Sequence, residues 1–191
     1  MRANAIYVLL YASGVYGLVL WPPVHDVVET VAGPLRRGMA PAVEQLPLGI
    51  RVVLALVLFD VLAYWVHRAA HASPLLWRIH RVHHSDGALG PTTTFRFHVI
   101  EIVWRMAVQF LPLYLLGIAA EIPTAAWFAL LAFNVLAHSD LSWTFGPLGR
   151  AVVSPAYHAS HHRANTPVNF GMFFAVWDLY FRTSATNPKS N

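Results

Sequence analysis

Apolar residues run along this chain in four long blocks, at 5–21, 48–66, 99–120 and 122–137, with polar and proline-rich stretches between them. A helix needs about 20 residues to cross a bilayer core, and each block approaches or reaches that length. The first reads as a retained membrane helix rather than a signal peptide. Arg2 makes a thin basic start, and Trp21-Pro22-Pro23 follows where a small-residue cleavage site would stand. Residues 22–47 carry five prolines and the Arg36-Arg37 pair, and read as a connecting segment with a short interfacial helix. His25 within it is an ordinary loop residue. Gly117 and Pro123 mark a tight connection between the last two blocks, which predicts a helical hairpin that enters the bilayer and returns to the same side. The expectation is an all-α polytopic membrane protein, one domain over residues 1–191, with about four transmembrane helices.

Composition strengthens the membrane reading. The 191 residues are 57% hydrophobic and 12% charged, against about 25% charged in ordinary soluble domains. The net charge of +4 comes from scattered arginines, so a nucleic-acid partner is not expected. With no cysteine, disulfides, iron–sulfur clusters and zinc–thiolate sites are excluded.

The anomaly is eleven histidines in so apolar a chain. His67 and His71 stand four apart; His80, His83 and His84 follow at relative positions 0, 3 and 4; His158, His161 and His162 repeat that spacing. Residues three and four apart share a helix face, so each cluster is expected to aim its imidazoles in one direction. These eight, with His138 as a ninth, outnumber the four ligands of a single structural zinc and imply two metals. Imidazole suits zinc, iron, copper and nickel alike, so residue type does not name the metal. Asp60 falls with Tyr64, His67 and His71 on one face of the second block, and a carboxylate there can accept a ligating imidazole's other N–H. Asp140 and Asp178 are further outer carboxylates able to balance the charge. Glu101 and Arg105 sit at helical spacing and can pair; Asn134 and His138 are also four apart, near the end of the last block. His98 is open between ligand, supporting group and headgroup contact. Tyr64 and Tyr157 are open between interfacial and functional roles.

If the hairpin leaves and returns, residues 67–98 and 138–191 lie on one side, joined by the N-terminus. That side holds Arg2, Arg68, Arg78, Arg81, Arg96, Arg150, Arg163, Arg182 and Lys189, and the other holds Arg36 and Arg37. By the positive-inside rule, the histidine-rich helical cap and both termini are cytoplasmic.

These motifs resemble the fatty acid hydroxylase / sterol desaturase superfamily. Asp60-x3-Tyr64-Trp65-x-His67-Arg68-x2-His71 is similar to its first motif, and Trp77-Arg78-x-His80-x2-His83-His84 to its second. Ser154-Pro155-x-Tyr157-His158-x2-His161-His162, then Asn169-Phe170-Gly171 and Trp177-Asp178-x2-Phe181-x-Thr183, resembles its C-terminal signature. The likeness covers roughly residues 50–183; His138-Ser139-Asp140 departs from the family's frequent His-x-Asn. The resemblance implies a membrane-bound oxidoreductase with two iron ions (zinc in their place after isolation being possible) and O2 as co-substrate. It would hydroxylate, or desaturate, a C–H bond of a lipid such as a fatty acyl chain or sterol. The lipid would come from the bilayer and the electrons from an external cytochrome b5- or ferredoxin-like donor. The competing readings are a zinc-dependent lipid hydrolase, which needs no O2, and a non-catalytic metal-binding membrane protein.

Overall fold

The axis of the protein is α3 (Leu48–Ala72), about 38 Å of helix. Among the described residues it is the one helix long and apolar enough to cross a membrane. The structure is a computed structural model that describes residues 2–118, 123–163 and 168–185. In it α1 (Arg2–Ala12), α2 (Val15–Glu44), α3, α4 (Pro74–His84), α5 (Val99–Leu115), α6 (Pro123–Ala137), α7 (Pro155–Arg163) and α8 (Val176–Tyr180) follow in order, with 3-10 turns at Pro91–Phe95 and Gly146–Arg150. The architecture is all-α; the described residues hold no strand beyond an isolated antiparallel bridge, Val152–Phe174.

Two expectations are corrected at the N-terminal end. The block at 5–21 is not one helix: Gly14 adopts a left-handed conformation, φ 71°, and separates α1 from α2. Residues 22–47 are mostly not a connector. α2 runs as helix through Pro22, Pro23, Pro34 and Pro41 to Glu44, carrying His25 with it. A proline inside a helix removes one hydrogen bond and crowds the carbonyl four residues back, so local propensity argues against this helix. Packing outweighs propensity here. α2 lies along α5, where Glu29 accepts from the Tyr114 hydroxyl and the Arg36 guanidinium sits 5.4 Å from the centre of the Tyr114 ring.

α5 packs against both α2 and α3. Ala55 of α3 meets Leu113 and Ile118, flanked by Leu58, Phe59 and Phe110. α5 ends at Leu115, earlier than the apolar block suggested, and Gly117 turns the chain at φ 70°. Residues 119–122 of the expected hairpin connection lie outside the described residues. α1 lies across the Pro91–Phe95 turn, with Asn4 bonded to Asp86, Thr92 and Arg96, and Tyr11 against Phe95.

The break between α3 and α4 positions the first histidines. The residue before a proline is pushed out of helical geometry, and Ser73 is extended at φ −98°, ψ 122°. Its hydroxyl then accepts from the Leu76 N–H and caps α4. α4 folds back on the end of α3, so His80 and His84 face His71 with ring centroids 5.0 and 4.8 Å away.

Candidate metal centre

The eight histidines singled out by spacing and His138 all come together, from α3, α4, the end of α6 and α7, in two adjoining groups. His67, His71, His80, His84 and His161 form one; His83, His138, His158 and His162 form the other; within each, one nitrogen per ring lies within 4.8 Å of the rest. The expectation that each cluster points one way is corrected by this division. Successive helical residues are rotated by about 100°, so i and i+4 stay within about 40° of each other while neighbours diverge. His80 and His84 accordingly share the first group, and His158 and His162 share the second. His83 and His161, each beside a histidine in the sequence, go to the opposite group from that neighbour. A His-His doublet is thus divided between the two groups. The groups touch where His84 and His162 stack with centroids 4.4 Å apart.

Hydrogen bonds fix several rings. The Nδ1 of His67 lies 2.9 Å from the Phe170 carbonyl, that of His161 2.6 Å from Val168, and that of His138 2.8 Å from Asn134. A carbonyl only accepts, so in each ring Nδ1 carries the proton and Nε2 offers a lone pair to the cluster. His80 Nδ1 is held at 2.7 Å by the buried Glu101 carboxylate, which is also 3.5 Å from Arg105. The Glu101–Arg105 pair was legible in their spacing; the His80 contact, across twenty-one positions, was not.

A cation answers what hydrogen bonds leave over. The Nε2 atoms of His67, His71 and His80 are buried without a hydrogen-bond partner among the described residues. In the second group, His138 Nε2 lies 3.2 Å from His83 Nε2 and 2.9 Å from His158 Nε2, and His162 Nε2 lies 3.1 Å from His158 Nε2. Imidazole nitrogens about 2.1 Å from one shared ion stand about 3.0–3.4 Å apart, so these spacings fit common ligands. Both groups could hold a metal ion.

Burial keeps these imidazoles neutral and ready to bind. Loss of solvent, and then the neighbouring imidazoles, hold His83, His84 and His158 well below the ordinary histidine value, and push His162 down to about 2. For His161 and His138 burial dominates over a carbonyl bond that works the other way, leaving both at about 4. The unfolded chain therefore takes up protons near pH 6.5 that the folded, metal-free protein refuses until about pH 4. Stability of the metal-free protein is expected to be flat above about pH 7 and to fall on acidification below 6.5, by up to about 1.4 kcal/mol per pH unit for each such group. Thermal unfolding in detergent across pH 4–8 checks this, and a flat profile would contradict it.

The three aspartates proposed as supports have other partners than those expected. Asp60 accepts from the backbone N–H of Phe173 and Phe174 and from the Trp177 indole, at 2.7–3.1 Å, not from an imidazole. Asp178 accepts from the N–H of Phe170 and Gly171 and from Thr183 Oγ1. Both brace one clasp, residues 168–184, whose Val168 and Phe170 carbonyls hold His161 and His67. Gly171 is needed there, since a Cβ would stand 2.6 Å from the Phe174 carbonyl oxygen and 2.9 Å from the Asp178 carboxylate. Asp140 pairs with Arg163 at the exposed end of α7. His98 lies outside both groups; its Nδ1 accepts from Ile100 N–H and caps α5. Tyr64 bonds Thr183 and Arg68 and stacks on Phe181, which ties α3 to the clasp.

The sequence profile described as Fatty acid hydroxylase matches residues 52–183, which contain every one of these histidines. The chain belongs to the fatty acid hydroxylase family. Among similar family proteins, an ornithine lipid hydroxylase of Rhizobium tropici is 36% identical over 151 residues, covering 76% of this chain and 45% of that protein. An alkylglycerol monooxygenase of Danio rerio is 32% identical over 145 residues, 72% of this chain and 31% of its own. A Delta(7)-sterol 5(6)-desaturase of Gibberella zeae is 26% identical, over 70% of this chain and 41% of its own. The chain thus spans less than half the length of these curated relatives. No solved structure matches it.

Proposed function

We propose that this family member is an O2-dependent, di-iron membrane oxidoreductase that hydroxylates a C–H bond of a bilayer lipid. The observation that carries the reading is the division of nine imidazoles into groups of five and four, with the buried Nε2 atoms of His67, His71 and His80 unpartnered among the described residues in the first and Nε2 atoms 2.9–3.2 Å apart in the second. His67, His71, His80, His84 and His161 would hold one iron, and His83, His138, His158 and His162 the other. The bound irons supply the redox chemistry, in which R–H, O2, two electrons and two protons become R–OH and water; an external cytochrome b5- or ferredoxin-like donor provides the electrons. The protein's own part is to hold neutral imidazoles in place, through carbonyls of the clasp and Glu101, and to keep water from the reacting carbon. An apolar cavity of about 130 Å³ beside α3, α5 and α6 suits the chain of a lipid. Phe97, Arg105, Asn134 and Met172 line both this cavity and a smaller one, about 20 Å³, walled by His67, His80, His83, His138 and His158.

Metal content of protein purified in mild detergent, without chelator or added zinc, tests the reading. About two irons per chain, with O2 consumed on addition of reductant and lipid, is the expected result. If zinc is found, iron reconstitution must restore O2 consumption; one metal or none would overturn the dinuclear site.

The same reading places the histidine end on the cytoplasmic side of a four-span bundle in which α2, with the exposed apolar row Val27, Val31 and Leu35, takes the place of the block at 5–21. The arginines support it: Arg68, Arg78, Arg81 and Arg96 flank the histidines, whereas Arg36, Arg37 and Arg51 lie toward the other end. Because the chain has no cysteine, single cysteines report orientation cleanly. In intact cells an impermeant maleimide should label Gln45→Cys and should reach Gly87→Cys only after lysis. The reverse pattern would invert the topology.

A further inference from the structure

The lipid cavity is not uniformly apolar, and its polar wall is out of balance. Ile102, Arg105, Met106 and Gln109 line it from one face of α5. Gln109 is 4% exposed, and its Nε2 has no hydrogen-bond partner among the described residues. Three other polar groups on the wall are engaged. Asp60 is saturated by Phe173, Phe174 and Trp177, and Thr94 donates to the Asn134 carbonyl. Arg105 is 3.5 Å from Glu101 and stacks 4.8 Å from the centre of Phe97. A buried donor without an acceptor costs free energy, and a polar side chain at membrane depth that bonds nothing among the described residues points to a ligand.

We propose that Gln109 donates a hydrogen bond to a carbonyl oxygen carried by the substrate, and that the substrate is therefore an acyl ester or amide rather than a plain hydrocarbon. A neutral oxygen suits the site better than a carboxylate, because Glu101 already offsets the charge of Arg105. Gln109 lies one helical turn farther from the histidine groups than Arg105, which lines both cavities. Anchoring the carbonyl at Gln109 fixes which carbon of the chain reaches the junction formed by Phe97, Arg105, Asn134 and Met172. Gln109 is thus a binding residue that sets the position of reaction. The inference rests on the proposed lipid-oxidising role of the same cavity.

Binding to the zinc-loaded protein in detergent, which reads affinity without turnover, tests it. The probes are methyl hexadecanoate and hexadecane, each measured by displacement of a fluorescent fatty acid ester. Wild type should bind the ester at least tenfold more tightly. Gln109→Leu should lose that preference while holding hexadecane as before, and should unfold at a temperature no lower than wild type, since an orphan donor has been removed. Gln109→Met, which keeps the length of the side chain and removes the donor, should lose the preference as well. A preference kept in both variants, or absent from wild type, overturns the assignment of Gln109 while leaving the lipid cavity standing. Failure of both probes to bind wild type overturns the lipid reading and this inference together.

Discussion

Replacing His83 with Ala is expected to lower bound metal from about two equivalents per chain to about one, and activity to below detection. His83 belongs to the group of four, whose remaining members are His138, His158 and His162. Three imidazoles bind a metal less tightly than four, and chemistry that depends on both ions then fails. The neighbouring residue gives the contrast. His84 belongs to the group of five, so His84→Ala leaves His67, His71, His80 and His161, the number a tetrahedral site uses. That variant should keep more than one metal equivalent. Elemental analysis of both variants, with helix content checked by circular dichroism, decides the matter. If both variants lose the same amount of metal, the division of the His83-His84 doublet between two centres is wrong.

Glu101→Gln is expected to weaken metal binding in the first group by about 10–100-fold and to lower turnover in parallel, the usual consequence of removing a ligand's outer partner. Glu101 is 1% exposed, and its carboxylate holds both His80 Nδ1 and Arg105. The amide has no charge for either, and leaves a buried guanidinium without its counter-ion. Competition with a metallochromic chelator measures the affinity directly. The same substitution at Asp140, which is exposed and touches only Arg163 among these groups, should leave that affinity unchanged. Equal effects at the two positions would show that Glu101 acts through general electrostatics rather than by orienting His80.

Much of the centre was legible because its signal is local. Histidine spacings of three and four are set by helical geometry alone, and all eight of the residues they marked meet in the structure, with His138 beside them. The all-helical class followed from long apolar blocks, and α3 emerged close to its expected place. What failed, failed where packing opposes propensity. Four prolines inside α2 read as a connector until α5 is there to pack against. Gly14, in turn, breaks a block whose composition alone looked continuous.

The outer supports were illegible for a different reason. A carboxylate two helical turns from a histidine on the same face, as Asp60 is from His67 by way of Tyr64, looks like its partner. Yet on α3 Asp60 meets a clasp more than a hundred positions away. The carbonyls of Val168 and Phe170 carry no side-chain signature at all, and the unpartnered amide of Gln109 stands out only once α3, α5 and α6 close a cavity around it. The sequence by itself determined which imidazoles exist and which helical turns present them, because a helix's periodicity is intrinsic to the chain. The tertiary structure alone decided which imidazoles come together and what fixes their protons, because those contacts join helices whose relative placement no local spacing encodes.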